Sequence, residues 1–211
     1  CKSFKNYDTE REEEYQKLQQ KLLLLNRLPE DRRGDVAKEL NQNIALFENG
    51  RKSWRAAKEN ALTFARNPKG TIIFHGGCGV GKSHLLAAIC NALRSKAQPI
   101  RSLFAVTPRL FSVYYDAMNR HEEWMLMQQM CTTPFLVFDD LDKAGIKPFK
   151  QEVFFQIIDE RVTAGLPIGV STNIKDGQLS EYIGQAAYSR LMVGCVTVEM
   201  VSKDYRRNII V

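Results

Sequence analysis

Thr71-Ile72-Ile73-Phe74-His75-Gly76-Gly77-Cys78-Gly79-Val80-Gly81-Lys82-Ser83 is the stretch that decides the fold. It opens with a short apolar run, which reads as a buried strand. A glycine-rich bend follows, and Leu85-Leu86-Ala87-Ala88-Ile89 then resumes with helical composition. Gly76 to Ser83 fits the pattern G-x-x-x-x-G-K-[ST]. Strand, glycine bend and helix is the order that a phosphate cradle requires. The glycines let successive backbone N–H groups point inward, at the positive end of the next helix. Lys82 is expected to reach the β- and γ-phosphates of a nucleoside triphosphate, and the Ser83 hydroxyl to bind Mg2+. The candidate nucleotide contacts are therefore Gly76, Gly77, Cys78, Gly79, Val80, Gly81, Lys82, Ser83 and the adjoining His84. Cys78 reads as a small loop residue.

Outward from this stretch, short apolar runs alternate with helical ones. Ile100 to Val106, Phe135 to Phe138, Leu166 to Thr172 and Val196 to Met200 read as four more strands, and Phe149 to Val162 as a helix. Fully apolar strands separated by helices predict a parallel sheet covered on both faces. The site needs an acid at the end of a neighbouring strand, and Asp139-Asp140 follows Phe135-Leu136-Val137-Phe138. Asp139 is expected to hold Mg2+ opposite Ser83, and Asp140 to orient and deprotonate the attacking water.

Residues 1–66 have a different texture. Asp8 to Leu28 is charged and Gln-rich and stops at Pro29; a second helix is expected from about Asp35 to Glu48. Gly50 then separates a third, with Trp54, Ala57, Ala61 and Phe64 on one side. We expect a helical appendage over 1–66 and the main domain over 67–211. The Leu22–Leu25 run reads as a packing face.

Composition closes off other classes. Across 211 residues, 44% hydrophobic and 26% charged residues suit a globular chain and exclude disorder, collagen and disulfide scaffolds. The longest charge-free stretch, Trp124 to Phe138, is broken by Gln, Thr and Pro, and is too short for a membrane span. Five cysteines (Cys1, Cys78, Cys90, Cys131, Cys195) form no close metal-ligand pair, and an odd count reads as reduced thiols in the cytoplasm. The chain begins at Cys1 without Met, so further sequence upstream is expected. A net charge of +6 permits a nucleic-acid partner without requiring one.

Three nucleotide readings compete. For a GTPase, Asp142-Lys143-Ala144-Gly145 supplies D-x-x-G, but Asn173-Ile174-Lys175-Asp176 has its Lys one place late for N-K-x-D. A small-molecule kinase would need an Arg-rich lid segment, which is not evident. The third reading rests on resemblance. Gly76–Ser83 resembles the Walker A motif and Phe135–Asp140 the Walker B motif of AAA+ ATPases. Ser171-Thr172-Asn173 resembles sensor 1, and Tyr188-Ser189-Arg190-Leu191 the segment presenting an arginine finger. Lys203-Asp204-Tyr205-Arg206 and Lys2-Ser3-Phe4-Lys5-Asn6-Tyr7 resemble the closing motif and aromatic box of the DnaC/DnaI helicase-loader and IstB transposition-helper group.

That resemblance implies an AAA+ core with a five-stranded parallel sheet between helices and no separate C-terminal lid. It implies ATP and Mg2+ as ligands, Lys82, Asp140, Asn173 and Arg190 as catalytic residues, and Arg206 as a sensor-2-like contact. Arg190 would act on a neighbouring subunit's nucleotide, which requires a head-to-tail ring or spiral. The implied role is a cytoplasmic replication factor that controls a replicative helicase on single-stranded DNA. An IstB-like transposition helper and a nucleotide-dependent binding module with little hydrolysis are the alternatives. For DNA, Pro108 to Met130 offers Arg109, Phe111, Tyr114, Tyr115, Arg120 and Trp124. Phe111, Tyr114 and Tyr115 equally suit a core, and Met118, Met125, Met127 and Met130 read as gap-filling residues.

Overall fold

The computed structural model describes residues 30–201 together with Glu13, Gln16 and Lys17, and for residues 30–47 and Asp176 the backbone alone. Lys2–Tyr7, Leu22–Leu25 and Lys203–Arg206 lie outside the described residues. The chain divides into two compact units, Cys1–Lys52 and Ser53–Val211.

Helix α1 runs without interruption over Glu30–Arg66, where two helices separated by Gly50 were expected. An interior glycine costs about 1 kcal/mol, which is too little to end a helix whose next turns are anchored by packing. The anchors are Trp54, Ala57, Ala61 and Phe64, all buried in the second unit. They also explain why the division falls after Lys52 rather than at the expected position after residue 66.

The second unit is built on five parallel strands: β1 (Thr71–Gly76), β2 (Ser102–Val106), β3 (Phe135–Asp139), β4 (Ile168–Thr172) and β5 (Val196–Met200). Their order across the sheet is β2-β3-β4-β1-β5. Every residue of β3 and β4 is buried, as expected for strands covered on both faces. One face receives residues 53–66 of α1 and helix α2 (Lys82–Arg94). The Phe64 and Phe135 rings meet there at 5.7 Å. A Cβ at Gly169 would lie 2.9 Å from both Leu86 and Phe135, so this strand position excludes a side chain.

The other face carries α3 (Thr107–Asn119), α4 (Glu123–Thr132), α5 (Pro148–Thr163), α6 (Leu179–Ile183) and α7 (Gln185–Leu191). Their core joins Phe111, Phe138, Phe154, Ile157 and Leu191, with Phe154 meeting Phe111 and Phe138 edge-on. This strand order has a consequence for function. The connection from β1 to β2 passes over β4 and β3, whereas that from β4 to β5 crosses β1 in the opposite direction. The carboxyl ends of β1, β4 and β3 thus meet at a topological switch point, where open α/β sheets place ligands.

Arg161 on α5 is fully buried and holds the opposite end of β3 and β4 in place. Its guanidinium donates to the carbonyls of Met130 and Thr133 at 2.7 and 2.8 Å, and to that of Pro167 at 2.8 Å. Burial pushes its pKa down to about 10, which still leaves it charged at neutral pH. Replacing Arg161 by Leu strands these carbonyls, which costs about 3 kcal/mol. Thermal unfolding followed by circular dichroism should show a midpoint lowered by roughly 10 °C; an unchanged midpoint would contradict this role.

Candidate nucleotide site

The glycine bend between β1 and α2 is shaped by two close approaches. Gly76 has φ 145°, and a Cβ there would lie 2.1 Å from the Met200 carbonyl oxygen on β5. Gly81 has φ 99°, and a Cβ there would lie 2.8 Å from the Trp54 ring. Left-handed backbone and lack of space both demand glycine at Gly81. The buried Trp54 indole therefore sets the height of the loop above the sheet. Next to it, Ser53 Oγ donates to the Glu199 carbonyl at 3.0 Å and accepts the Val201 N–H at 2.9 Å, fastening α1 to the end of β5.

Lys82 is the first residue of α2 and is only 5% exposed. Its ammonium donates to the carbonyls of Gly76 and Gly77 at 2.8 and 2.7 Å, and to Asn173 Oδ1 at 2.9 Å. Burial lowers its pKa below the ordinary lysine value, opposed by the negative charge of the nearby Asp140 and Asp142. The Cys78 thiol also donates to Asn173 Oδ1, at 3.6 Å. Ser83 lies one residue further into the first turn and is half-buried, while His84 is exposed.

The end of β4 connects this loop to β3 through three consecutive side chains. Ser171 donates to Asp139 Oδ1 at 2.5 Å and accepts the Asp140 N–H at 2.9 Å. Thr172 donates to Asp142 Oδ1 at 3.0 Å. Asn173 gives Asp142 both its backbone N–H, at 2.9 Å, and its amide, at 3.0 Å. The orientation of the Asn173 amide follows from chemistry: its oxygen faces the Lys82 ammonium and its NH2 faces a carboxylate. Burial alone would raise the Asp142 pKa, but the bonds from Asn173 and Thr172 outweigh it and hold the carboxyl below its ordinary value.

Asp139 is 8% exposed, and among the described residues its carboxylate meets no cation. A buried carboxylate at a strand end is an oxygen donor of the kind that suits Mg2+. Among the described residues no cluster of three or more His, Cys, Asp or Glu forms a protein-only cage. Asp140 is placed differently from a free base. Its backbone is left-handed at φ 54°, and its carboxylate pairs with Lys143 at 2.5 Å. The same hydrogen bond raises the Lys143 pKa.

Arg190 lies on α7 with its side chain about half exposed, 2.8 Å from Asp159 of α5. Arg206 lies outside the described residues. In the segment considered for DNA, α3 and α4 form a helical hairpin that turns at His121 with φ 58°. Phe111, Tyr114 and Met130 belong to the core. Tyr115 and Trp124 are exposed, as are Met118 and Met125, which therefore do not fill gaps as expected. Tyr115 stacks on Phe149, and Arg109 and Arg120 are exposed, Arg120 paired with Glu122 at 3.1 Å.

Three participants were missed in the sequence: Ser171 as the bridge between the paired acids, Asp142 as the holder of Asn173, and Lys143 as the partner of Asp140. Asp142 had a signal, since it opens the D-x-x-G considered for a different nucleotide class. Polar residues in unbroken succession at the end of a buried strand were the signal for Ser171.

Comparison with known proteins agrees with this fold. The family described as the bacterial DnaA ATPase domain matches residues 42–198. The replicative helicase loader DnaC of Escherichia coli K12 is 27% identical over 164 residues, covering 74% of this chain and 65% of the loader. A crystal structure of the DnaC helicase loader superposes with a TM-score of 0.63 at 23% identity, covering 70% of this chain and 90% of that one. A replication initiator DnaA bound to AMPPCP and single-stranded DNA superposes with a TM-score of 0.61 at 19% identity, covering 67% and 44% of the two chains. The sheet and its helices are those of AAA+ domains.

The depressed Asp142 carboxyl has a measurable signature. Its stabilising contribution is complete above the unfolded value of 3.8 and is lost as pH falls through the lower folded value. Thermal melts below about pH 4 should therefore show a steeper loss of stability for the unsubstituted chain than for Asp142→Asn. Parallel pH profiles would contradict the assignment.

Proposed function

From the premise that this chain belongs to the bacterial DnaA ATPase-domain family, we propose that it is an ATP-hydrolysing AAA+ factor of DNA replication. In this reading it works as a helicase loader. ATP and Mg2+ sit at the interfaces of a head-to-tail ring or spiral, and their turnover controls delivery of a replicative helicase to single-stranded DNA. The chain spans about 65% of the length of the E. coli loader, so activity and partners are our inference for this chain.

The observation that carries the reading is the continuous polar chain from Lys82 through Asn173 to Asp142, beside Asp139 at the end of the adjacent strand and Asp140 just after it. The loop amides and Lys82 would bind the phosphates, and Ser83 and Asp139 would hold Mg2+, which would supply neutralisation of phosphate charge. Asn173, held at both ends, presents its amide beside the γ-phosphate and the attacking water. Asp140 takes the water's proton once its carboxylate leaves Lys143.

Arg190 supports the oligomeric part of the reading. An exposed ion pair such as Arg190–Asp159 contributes about 0–1 kcal/mol, so a neighbour's phosphate can displace Asp159 at little cost. For DNA, the exposed Tyr115 and Trp124 offer stacking surfaces and the exposed Arg109 and Arg120 offer charge. Among the described residues, no helix is long and apolar enough to cross a membrane. The Asp140–Lys143 pair favours one second reading, a nucleotide-dependent binding module with little turnover.

Three variants separate these readings. Lys82→Ala should lose ATP binding. Asp140→Asn should keep binding and lose turnover by about 100-fold or more. Arg190→Ala should keep binding but lose the rise in turnover with protein concentration. Phosphate release measured with and without oligo-dT reads all three, and a pulldown with purified replicative helicase reads the cargo. Nucleotide binding with no turnover in the unsubstituted chain would replace the ATPase by the binding module, and failure to retain helicase would remove the loader assignment.

A further inference from the structure

Charge is distributed unevenly along this chain. From Asn60 to Tyr115 the sequence contains no Asp or Glu, yet it includes Arg66, Lys69, Arg94, Lys96 and Arg101. The fold brings these five to the edge of the sheet at which its strands begin, opposite the glycine bend. Arg66 ends α1 and Lys69 precedes β1; Arg94 ends α2 and Lys96 follows it, and Arg101 precedes β2. Lys96 Nζ donates to the Arg66 carbonyl at 3.0 Å, which ties the two helix ends together.

An open cavity of about 280 Å³ lies on this edge, with Asn91, Arg94, Arg101 and Ser102 as its polar lining and Cys90, Pro99 and Ile100 as the rest of its wall. No acidic residue lines it. Among the described residues neither guanidinium meets a carboxylate, and Arg94 makes only a long 3.5 Å bond to Asn91. The carbonyl ends of α1 and α2 offset roughly half a charge each, well short of five cations. Thirteen residues of α2 separate Arg94 from the nucleotide loop, roughly 20 Å at 1.5 Å per residue.

We infer that this edge is a second phosphate-binding surface, distinct from the nucleotide site and from the α3–α4 hairpin, and that it takes the phosphodiester backbone of a nucleic-acid strand. The guanidinium forks of Arg94 and Arg101 match phosphate oxygens in the cavity, and Lys96, Lys69 and Arg66 continue the positive edge for neighbouring phosphates. A protein partner would need a large apolar or aromatic anchor, and beside its polar lining the cavity offers the small Cys90, Pro99 and Ile100, with no aromatic side chain. Recognition of this kind is independent of base sequence and strongly dependent on salt. It stands whether or not the chain hydrolyses ATP.

The test uses the full chain and a fluorescein-labelled oligo-dT, with anisotropy recorded across a range of KCl. Arg94→Gln/Arg101→Gln should weaken binding about tenfold at low salt and flatten the slope of log K against log salt by about 1.4, the effect of two lost phosphate contacts. Its thermal midpoint and its affinity for a fluorescent ATP analogue should stay unchanged. Inorganic phosphate and poly-glutamate at matched ionic strength should compete poorly. An unchanged affinity and slope in the double variant would overturn the proposal, the more plainly if Arg109→Gln/Arg120→Gln abolishes binding, since the hairpin reading would then survive alone. Competition by phosphate or poly-glutamate as effective as unlabelled oligo-dT would also overturn it, assigning the edge to a free anion or an acidic peptide.

Discussion

The Asn173 side chain is the constraint on which the site depends. One amide meets a cation at its oxygen and an anion at its nitrogen, joining the loop after β1 to the turn after β3. Neither end can be reversed without facing like against like, so the geometry is fixed by charge as well as by packing. Lys82, Asn173 and Asp142 thus form one continuous hydrogen-bonded chain, which ends in the short turn that also carries the Asp140–Lys143 pair.

This linkage exists because β4 lies between β1 and β3. Ser171, Thr172 and Asn173 each spend their hydrogen bonds on the neighbouring β3 side, and Asn173 alone also reaches the loop after β1. Rigid surroundings keep these short contacts in register. Arg161 secures the far end of β3 and β4, and Gly169 admits Leu86 and Phe135 against the middle of β4. On the loop side, Trp54 and Ser53 bring α1 against Gly81 and the end of β5. The helix preceding the sheet is therefore structurally part of the glycine bend's support.

Much of this was legible in the sequence, because the decisive signals are local. Glycine spacing, an adjoining Lys-Ser and a strand ending in paired acids are each read within a few residues. All five strands lie where their apolar runs predict, to within two residues. What escaped the sequence depends on contacts between distant segments. Gly50 reads as a break locally, yet burial of Trp54 and Phe64 carries the helix through it. Asp142 reads as a turn residue until β4 is known to lie beside it. Arg161 in a helical run reads as surface charge, and only the meeting of α4 with the loop before β4 makes it a buried clamp. Tyr115 and Tyr114 are adjacent in sequence and opposite in exposure, which helical spacing alone did not resolve.

The most direct measurement is a crystal structure of the chain with Mg2+ and a nonhydrolysable ATP analogue. The β- and γ-phosphates should lie in the Gly76–Ser83 bend, with the Lys82 ammonium on phosphate oxygen. Asn173 should still be bonded to Asp142, and the metal should lie between Ser83 and Asp139. A nucleotide bound elsewhere, or a γ-phosphate out of reach of both Lys82 and Asn173, would contradict it.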